Sequence, residues 1–419
     1  MPCLSCANVM SLKNRGYVDD GLVCIDCTDR TKFFRNANED IWRIIDHLST
    51  IVVKKDLEQM EKETGFSRNA AGLLRDVGLR RVVKPADAYL RDWMHTFVSG
   101  GQANTHTGLL LHMLKDHGIK IELVRDYSIE YTLPCKHGKV SPHWLKKTLL
   151  DKKDKGSFSS FASHMLSIVP IVFAFLMDHV HTSAHAGELA DHIRCYGLLA
   201  SIIALLQRVD TAPSNVAHLV RLIDEYGAMF IRLYDRAKAK FHHMYHIHES
   251  IERFNRVLSC FVTERRHRMT KRAALHIFRH VEATVMKDLV NRMSEEFAGD
   301  SSLFKPTYLV RPKVAPIAMD RELYISSAAV LLCGSIKKRD VVYINDGLRI
   351  IVGRVDRFWL MNGQIVVRIA CYRCVGNDKR FWSTDSEEIQ FFSANSIVDA
   401  VAWRPVSAAI VRILPPFVA

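Results

Sequence analysis

Nothing in this sequence is long and apolar enough to read as a bilayer span. The longest apolar stretch, Met165 to Met177, covers 13 residues interrupted by Ser167 and Pro170, against roughly 20 for a spanning helix, so no membrane partner is expected. The opening MPCLSCANVM lacks a basic segment leading into an apolar one, which argues against a secretory leader. Cysteine is sparse, 10 residues in 419, too few for a secreted disulfide scaffold. Its clustering instead points to metal ligation or burial in a reducing compartment, cytosol or nucleus. There is no internal repeat and no low-complexity tract. Acidic residues are in deficit: 45 Asp and Glu against 58 Lys and Arg leave a net charge of +13, an excess that favours an anionic partner, nucleic acid first. With 48% hydrophobic and 25% charged residues the composition is globular, and the length predicts two or three domains.

Residues 1–34 carry a cysteine knuckle with few core-forming side chains. From Glu39 to Lys62, Ile41, Ile44, Ile45, Leu48, Ile51 and Val52 recur at helical spacing. This opens a segment, 35–156, that includes DWMHTFVSGGQANTHTGLLLHMLKDHG, where Asp92 is expected at a junction from strand to helix. Residues 157–298 read as helical almost throughout, and 299–336 as a polar, proline-bearing linker. Residues 337–419 hold short β-branched and aromatic runs parted by Asp346-Gly347 and Asn362-Gly363, the pattern of a small antiparallel β-barrel.

Cys3, Cys6, Cys24 and Cys27 form two CxxC pairs separated by 17 residues. Two such turns supply four thiolates to a closed, structural Zn2+ site, the alternative being incidental cysteines. Cys371 and Cys374 form a third pair with no partner pair nearby and are not assigned to metal. Asp92 and Glu264 are the candidate acids: carboxylates from two elements can share a divalent ion for attack at phosphodiesters, while the plainer reading pairs Glu264 with Arg268 on a solvated helix. Residues 235–292 are rich in Lys and Arg, and there Arg265, Arg268 and Arg272 share a helix face widened by Arg266 and Lys271, suited to a phosphate backbone or simply to solvent. His242 and His246 also share a face and could bind metal. Without a third ligand they read as a polar rim above a core.

In order, the CxxC knuckle, Asp92-Trp93-Met94-His95 and the segment FHHMYHIHESIERFNRVLSCFVTERRHRMTKR, residues 241–272, resemble the Tnp2-type transposases of CACTA-like DNA transposons over about residues 1–295. The expected fold class is α+β and multidomain: the zinc knuckle and C-terminal small β-barrel read from the residues, and between them a mainly helical body on what the resemblance implies is a partial RNase H-like core interrupted by a helical insertion. The resemblance also implies a DDE active site in which Asp92 is the second aspartate, His95 the histidine that follows it, and Glu264 the glutamate, with Mg2+ as the working ion. In the family the first aspartate precedes the knuckle. Here the knuckle begins at residue 3, so the expectation is an N-terminally truncated or domesticated transposase, catalytically incomplete alone. The C-terminal stretch, with KKRDVVYI and IVGRVDRFWLMNGQIVVRIACYRC, resembles a bromo-adjacent-homology or SH3-like module. There Trp359, Tyr372, Trp382 and Trp403 either line a groove for a chromatin peptide or fill the core. The expected protein is nuclear and binds DNA through Arg265, Arg266, Arg268, Lys271 and Arg272, with a homo-oligomer among the assemblies open to it. The competing expectation is a non-catalytic, zinc-containing scaffold on chromatin or DNA with a peptide-reading barrel. An RNA-binding protein is a third possibility, without an RNP-type strand or GxxG loop to support it.

Overall fold

A computed structural model of the full chain describes residues 3–6, 9–11, 22–24, 29–69, 72–89, 91–134, 145, 158, 160–207, 213–235, 239–255, 257, 259–260, 286, 307–314, 323–331, 334–347, 349–376 and 380–414. The chain divides into two units. The first comprises residues 1–119, 147–165 and 176–259, the second 120–146, 166–175 and 260–419.

In the first unit a short hairpin pairs Val9–Ser11 (β1) with Leu22–Cys24 (β2). The helical periodicity from Glu39 onward becomes two helices, Asn38–Thr50 (α1) and Lys54–Thr64 (α2), parted by an extended Ile51. α1 buries Ile41, Trp42, Ile45 and Leu48 on one face, and α2 ends at Gly65, whose φ of 72° is left-handed, where glycine costs nothing sterically. Asp92 lies not at a strand end but just before a single π-helical turn, Met94–Val98. Among the described residues from 29 to 134, strand geometry occurs only in the isolated bridges Cys6–Arg35 and Thr132–Trp403. The π-turn and the helix Gln102–Asp116 (α3) meet closely at Gly101, where a Cβ would collide with the backbone of Thr96 and Phe97.

Lys120 precedes a short helix of the second unit, Ile121–Ile129 (α4). The helix Ala162–Phe175 (α5) continues as a π-helical turn to Val180 and is followed by Ala186–Leu206 (α6) and Pro213–Tyr234 (α7), which pack side by side. Contrary to the reading of isolated apolar runs, Ala162–Val180 and Ala186–Leu206 are each long and apolar enough to cross a membrane, with mean hydropathy 1.5; 56% and 50% of those windows are buried within the protein. The helical segment closes with Ala239–His243 (α8), a 3-10 turn over Met244–His246, and Ile247–Phe254 (α9). Tyr196, Tyr226, Phe97, Phe230, Phe241 and Tyr245 are fully buried in this unit.

The second unit holds a curled antiparallel sheet. Its strands are Lys313–Val314 (β4), Tyr324–Ser326 (β5), Val341–Asn345 (β8), Ile350–Met361 (β9), Gln364–Cys374 (β10), Phe381–Ser393 (β11), Ile397–Val401 (β12), Trp403–Pro405 (β13) and Ile410–Ile413 (β14). They run in the order β12-β8-β9-β10-β11-β14-β13, with β5 also on β9 and β4 on β5. A separate three-stranded sheet pairs Tyr308–Leu309 (β3) with Ala328–Leu331 (β6) and β6 with Gly334–Lys337 (β7). Segment 299–336, expected as a linker, thus contributes strands. Asn362 and Gly363, at φ 50° and 75°, make the two-residue β9–β10 turn that the Asn-Gly pair predicts. Val355, Phe358, Val367 and Ile369 fill the inner core. On the opposite face a second cluster gathers Val341, Tyr343, Tyr372 and Trp382, with Trp403 packed against it.

Candidate metal centre

Two turns from opposite ends of the first unit meet. The first is the knuckle Cys3-Leu4-Ser5-Cys6, held by Asn36: its backbone N–H donates to the Ser5 carbonyl (3.1 Å) and its side chain to the carbonyls of Cys3 (3.1 Å) and Leu4 (3.2 Å). The second is the passage from α8 into the 3-10 turn, which puts His242 and His246 one helical turn apart on one face. Tyr245, fully buried between them and α7, fixes that turn; Gly227 of α7 leaves room for its hydroxyl.

Cys3, Cys6, His242 and His246 are all buried, and one ligand atom from each lies within 4.8 Å of the others. Cys6 Sγ is 2.9 Å from His242 Nε2 and 3.4 Å from His246 Nε2, and the two Nε2 atoms are 3.0 Å apart. Ligands at the Zn–S and Zn–N radii have tetrahedral edges of about 3.3–3.8 Å; the edges of 2.9, 3.0 and 3.4 Å lie at or just below that range, so a small outward adjustment of these three atoms separates them from a filled tetrahedron. Two thiolates and two imidazoles so arranged can hold a metal ion, and they suit a closed, structural site.

The surrounding groups orient these ligands. Glu249 Oε1 accepts from His246 Nδ1 at 2.8 Å, which leaves Nε2 as the ligating nitrogen. Arg35 donates to the same carboxylate at 2.6 Å. Burial pushes the Glu249 carboxyl up, but the His246 hydrogen bond and the Arg35 guanidinium overcome it and hold it down to about 2. Arg91, itself buried, donates to Cys3 Sγ at 2.7 Å and to Ser5 Oγ at 2.8 Å. The Cys3 thiol is held far below its ordinary range, first by Cys6, then, against burial, by His242, His246 and Arg91. The Phe33 ring covers His242 and His246, with centroids at 5.0 and 5.2 Å. Burial depresses His242 and His243, the latter to about 3. Arg30 ties the knuckle's exit to the rest of the unit, donating to Asp224 at 2.8 Å and to the Tyr245 carbonyl.

Of the four cysteines expected as ligands, Cys3 and Cys6 are in the cluster. Cys24 ends β2, and its side chain, like all of Cys27, lies outside the described residues. The partners brought to Cys3 and Cys6 are His242 and His246, so the reading of these histidines as a polar rim is corrected: both are 0% exposed. The carboxylate of Asp92 accepts from the backbone N–H groups of Met94 and His95, at 3.1 Å each, and bonds the His95 ring. Glu264, Arg265, Arg266, Arg268, Lys271 and Arg272 lie outside the described residues. On the sheet, Tyr372 and Trp382 are core residues and Trp403 packs on them, which removes three of the four aromatics expected to line a groove. Burial raises the Cys371 thiol to about 11, and Cys371 and Cys374 belong to no metal cluster among the described residues. Sequence reasoning missed Glu249 and Arg91. The spacing of Glu249, one helical turn after His246, was the available signal.

Compared with known proteins, the chain matches no family model, no curated protein and no solved structure.

Proposed function

We propose that this chain is a nuclear DNA-binding protein derived from a cut-and-paste DDE transposase of the Tnp2, CACTA-like type, with Zn2+ as the structural ion at Cys3, Cys6, His242 and His246. The observation that carries the reading is the closure of that cluster across 236 residues of sequence, from Cys6 to His242. The donor set selects Zn2+: soft thiolates and imidazoles disfavour Mg2+ and Ca2+, which take oxygen ligands. A closed four-ligand site leaves no open position for catalysis, so the ion's task is to lock the knuckle onto the helical segment that runs into the basic stretch of residues 264–272.

In this reading residues 35–156 contribute to a partial RNase H-like core. Asp92 and Glu264 would hold Mg2+, which supplies activation of a hydroxyl for in-line attack at phosphodiesters, and His95 is positioned by Asp92. Arg265, Arg266, Arg268, Lys271 and Arg272 bind the phosphate backbone. Two acids fall short of the three such a site uses, so binding, not cutting, is the activity proposed for the chain alone.

Zinc content of the purified protein, and its affinity for a duplex of about 30 base pairs with and without the Arg268→Ala/Lys271→Ala/Arg272→Ala changes, test the reading. One zinc per chain and a shallower salt dependence in the triple variant support it. A protein free of zinc, or duplex binding that ignores the three substitutions, overturns it.

A further inference from the structure

The register of the curled sheet sorts its side chains into two faces. Cross-strand partners point the same way, and the pairs Trp359–Val366, Arg357–Arg368, Arg368–Phe391, Arg354–Ala370 and Ala370–Ile389 all lie opposite the inner core of Val355, Phe358, Val367 and Ile369. The outer face therefore gathers two aromatic rings and three guanidiniums within three neighbouring strands. Phe391 is 60% and Ile389 51% exposed, while the Trp359 ring is half-buried. Asp356, the bulge residue between Arg357 and Val355, is the acid beside them, and it already pairs with Arg368 and Lys338 at 3.2 Å each. Lys313 joins the same face through its pairing with Ile325, the neighbour of Trp359.

Scattered exposed apolar side chains need no explanation, but this set is contiguous and ringed by positive charge. Trp359 and Phe391 stand two strands and one row apart, about 12 Å from strand spacing and rise, with Arg368 between them. The geometry points to a platform for single-stranded DNA, the bases stacking on Phe391 and Trp359 and the phosphates meeting Arg354, Arg357 and Arg368. A duplex hides its base faces and would gain nothing from the rings. A methylated lysine would need the rings packed around it and would meet three guanidiniums of its own sign. Of the described acceptors on this face, Asp356 is already paired with Arg368 and Lys338, and Gln364 and Ser393 stand towards the β9–β10 turn, so the rows of Arg354, Arg357 and Phe391 offer no unpaired side-chain acceptor to a 2′-hydroxyl, and deoxyribose is the sugar they fit. This inference rests on the sheet alone and does not depend on the metal centre or on the transposase reading.

Fluorescence anisotropy of the full chain with labelled oligo-dT, oligo-rU and duplex DNA of about 20 nucleotides tests it. Phe391→Ala is expected to weaken oligo-dT binding about tenfold, the loss of one stacked base, and duplex binding less than twofold. Arg357→Ala should reduce the slope of log affinity against log salt for oligo-dT by about 0.7. Val82→Ser, at an exposed valine of the other unit, serves as the control and should change neither. Should a variant fail to fold by near-ultraviolet circular dichroism, ultraviolet crosslinking of oligo-dT to the unaltered protein replaces it, with crosslinks expected in β9 and β11. Crosslinks elsewhere, wild-type affinity in both variants, equal losses on duplex, or tighter binding to oligo-rU or to an acidic peptide than to oligo-dT would each overturn the proposal.

Discussion

Glu249→Gln is the sharpest probe of the metal centre, because it changes one charge and almost no volume. The carboxylate accepts from His246 Nδ1 at 2.8 Å and from Arg35 at 2.6 Å, so it fixes the imidazole tautomer and makes Nε2 a better donor to the metal. The amide keeps an acceptor oxygen but loses the negative charge, and its NH2 group, if turned toward His246, opposes the N–H already there. Loss of such an orienting partner typically weakens metal binding 10- to 100-fold, about 1.4–2.7 kcal/mol. The Arg35 ion pair adds little of this, since its side chain is 56% exposed and exposed pairs contribute at most about 1 kcal/mol. Arg35→Ala should therefore lower zinc affinity less than fivefold. Competition against a chromophoric chelator of known affinity, at fixed pH and salt, measures both variants. Equal zinc affinity in Glu249→Gln and the unaltered protein would refute the argument that Glu249 orients His246, and a larger loss in Arg35→Ala would reverse the assignment of the dominant partner.

Cys6→Ser removes a thiolate from the centre of the cluster, and one-to-one zinc retention after gel filtration should be lost, as mass spectrometry under native conditions will report. Gly227→Ala drives a methyl into the buried Tyr245 hydroxyl and should lower stability by about 1–3 kcal/mol in urea denaturation, with weaker zinc binding because Tyr245 sits in the turn that carries His246. His106 is fully buried among Tyr196, Tyr226, Phe230 and Tyr234, with His192 as the nearby charge, and burial lowers it to about 3. Its folded pKa lies below the unfolded value near 6.5, so the unfolded chain takes up the proton first and stability falls as pH drops through 6.5 towards 3. His106→Leu should flatten the stability–pH profile between pH 6 and 4 by about 1.4 kcal/mol per pH unit; an unchanged slope would show that His106 stays neutral in neither state or both.

Local pattern made much of the fold legible. The recurrence of Ile41, Ile45 and Leu48 marked the buried face of α1, and the long apolar periods marked α5 to α7, because a helix that must bury one face repeats its apolar residues every third or fourth position. Asn362-Gly363 marked the β9–β10 turn because both positions need positive φ. The metal centre was half legible. CxxC is a local signature, but a Cys2His2 set whose two halves lie more than 230 residues apart has no spacing for a pattern to find, and the nearer Cys24 and Cys27 made a complete four-thiolate set by themselves. The π-turn after Asp92 was hidden for a different reason: the Asp92 carboxylate on the Met94 and His95 N–H groups and the close approach at Gly101 are local contacts, but a single turn is too short to show an apolar period. The strands between 308 and 331 were masked by Pro306, Pro312 and Pro316, which read as linker, although β6 is built from the apolar run Ala328–Leu331.

Arg91 joins what the motifs kept separate. Its side chain holds Cys3 and Ser5 of the knuckle, and its backbone N–H donates to Ser250 Oγ of α9 at 3.3 Å. The next residue is Asp92, whose carboxylate caps the π-turn and orients His95. A side chain that is 4% exposed and charged is costly to bury without partners. The sulfur and the hydroxyl supply those partners only while the knuckle is closed on the helical segment. The closed centre therefore sets where residue 91 sits, and through the backbone the direction in which Asp92 presents its carboxylate. The buried Cys3–Cys6–His242–His246 cluster and the carboxylate at the Asp92 turn are thus two ends of one connection through Arg91.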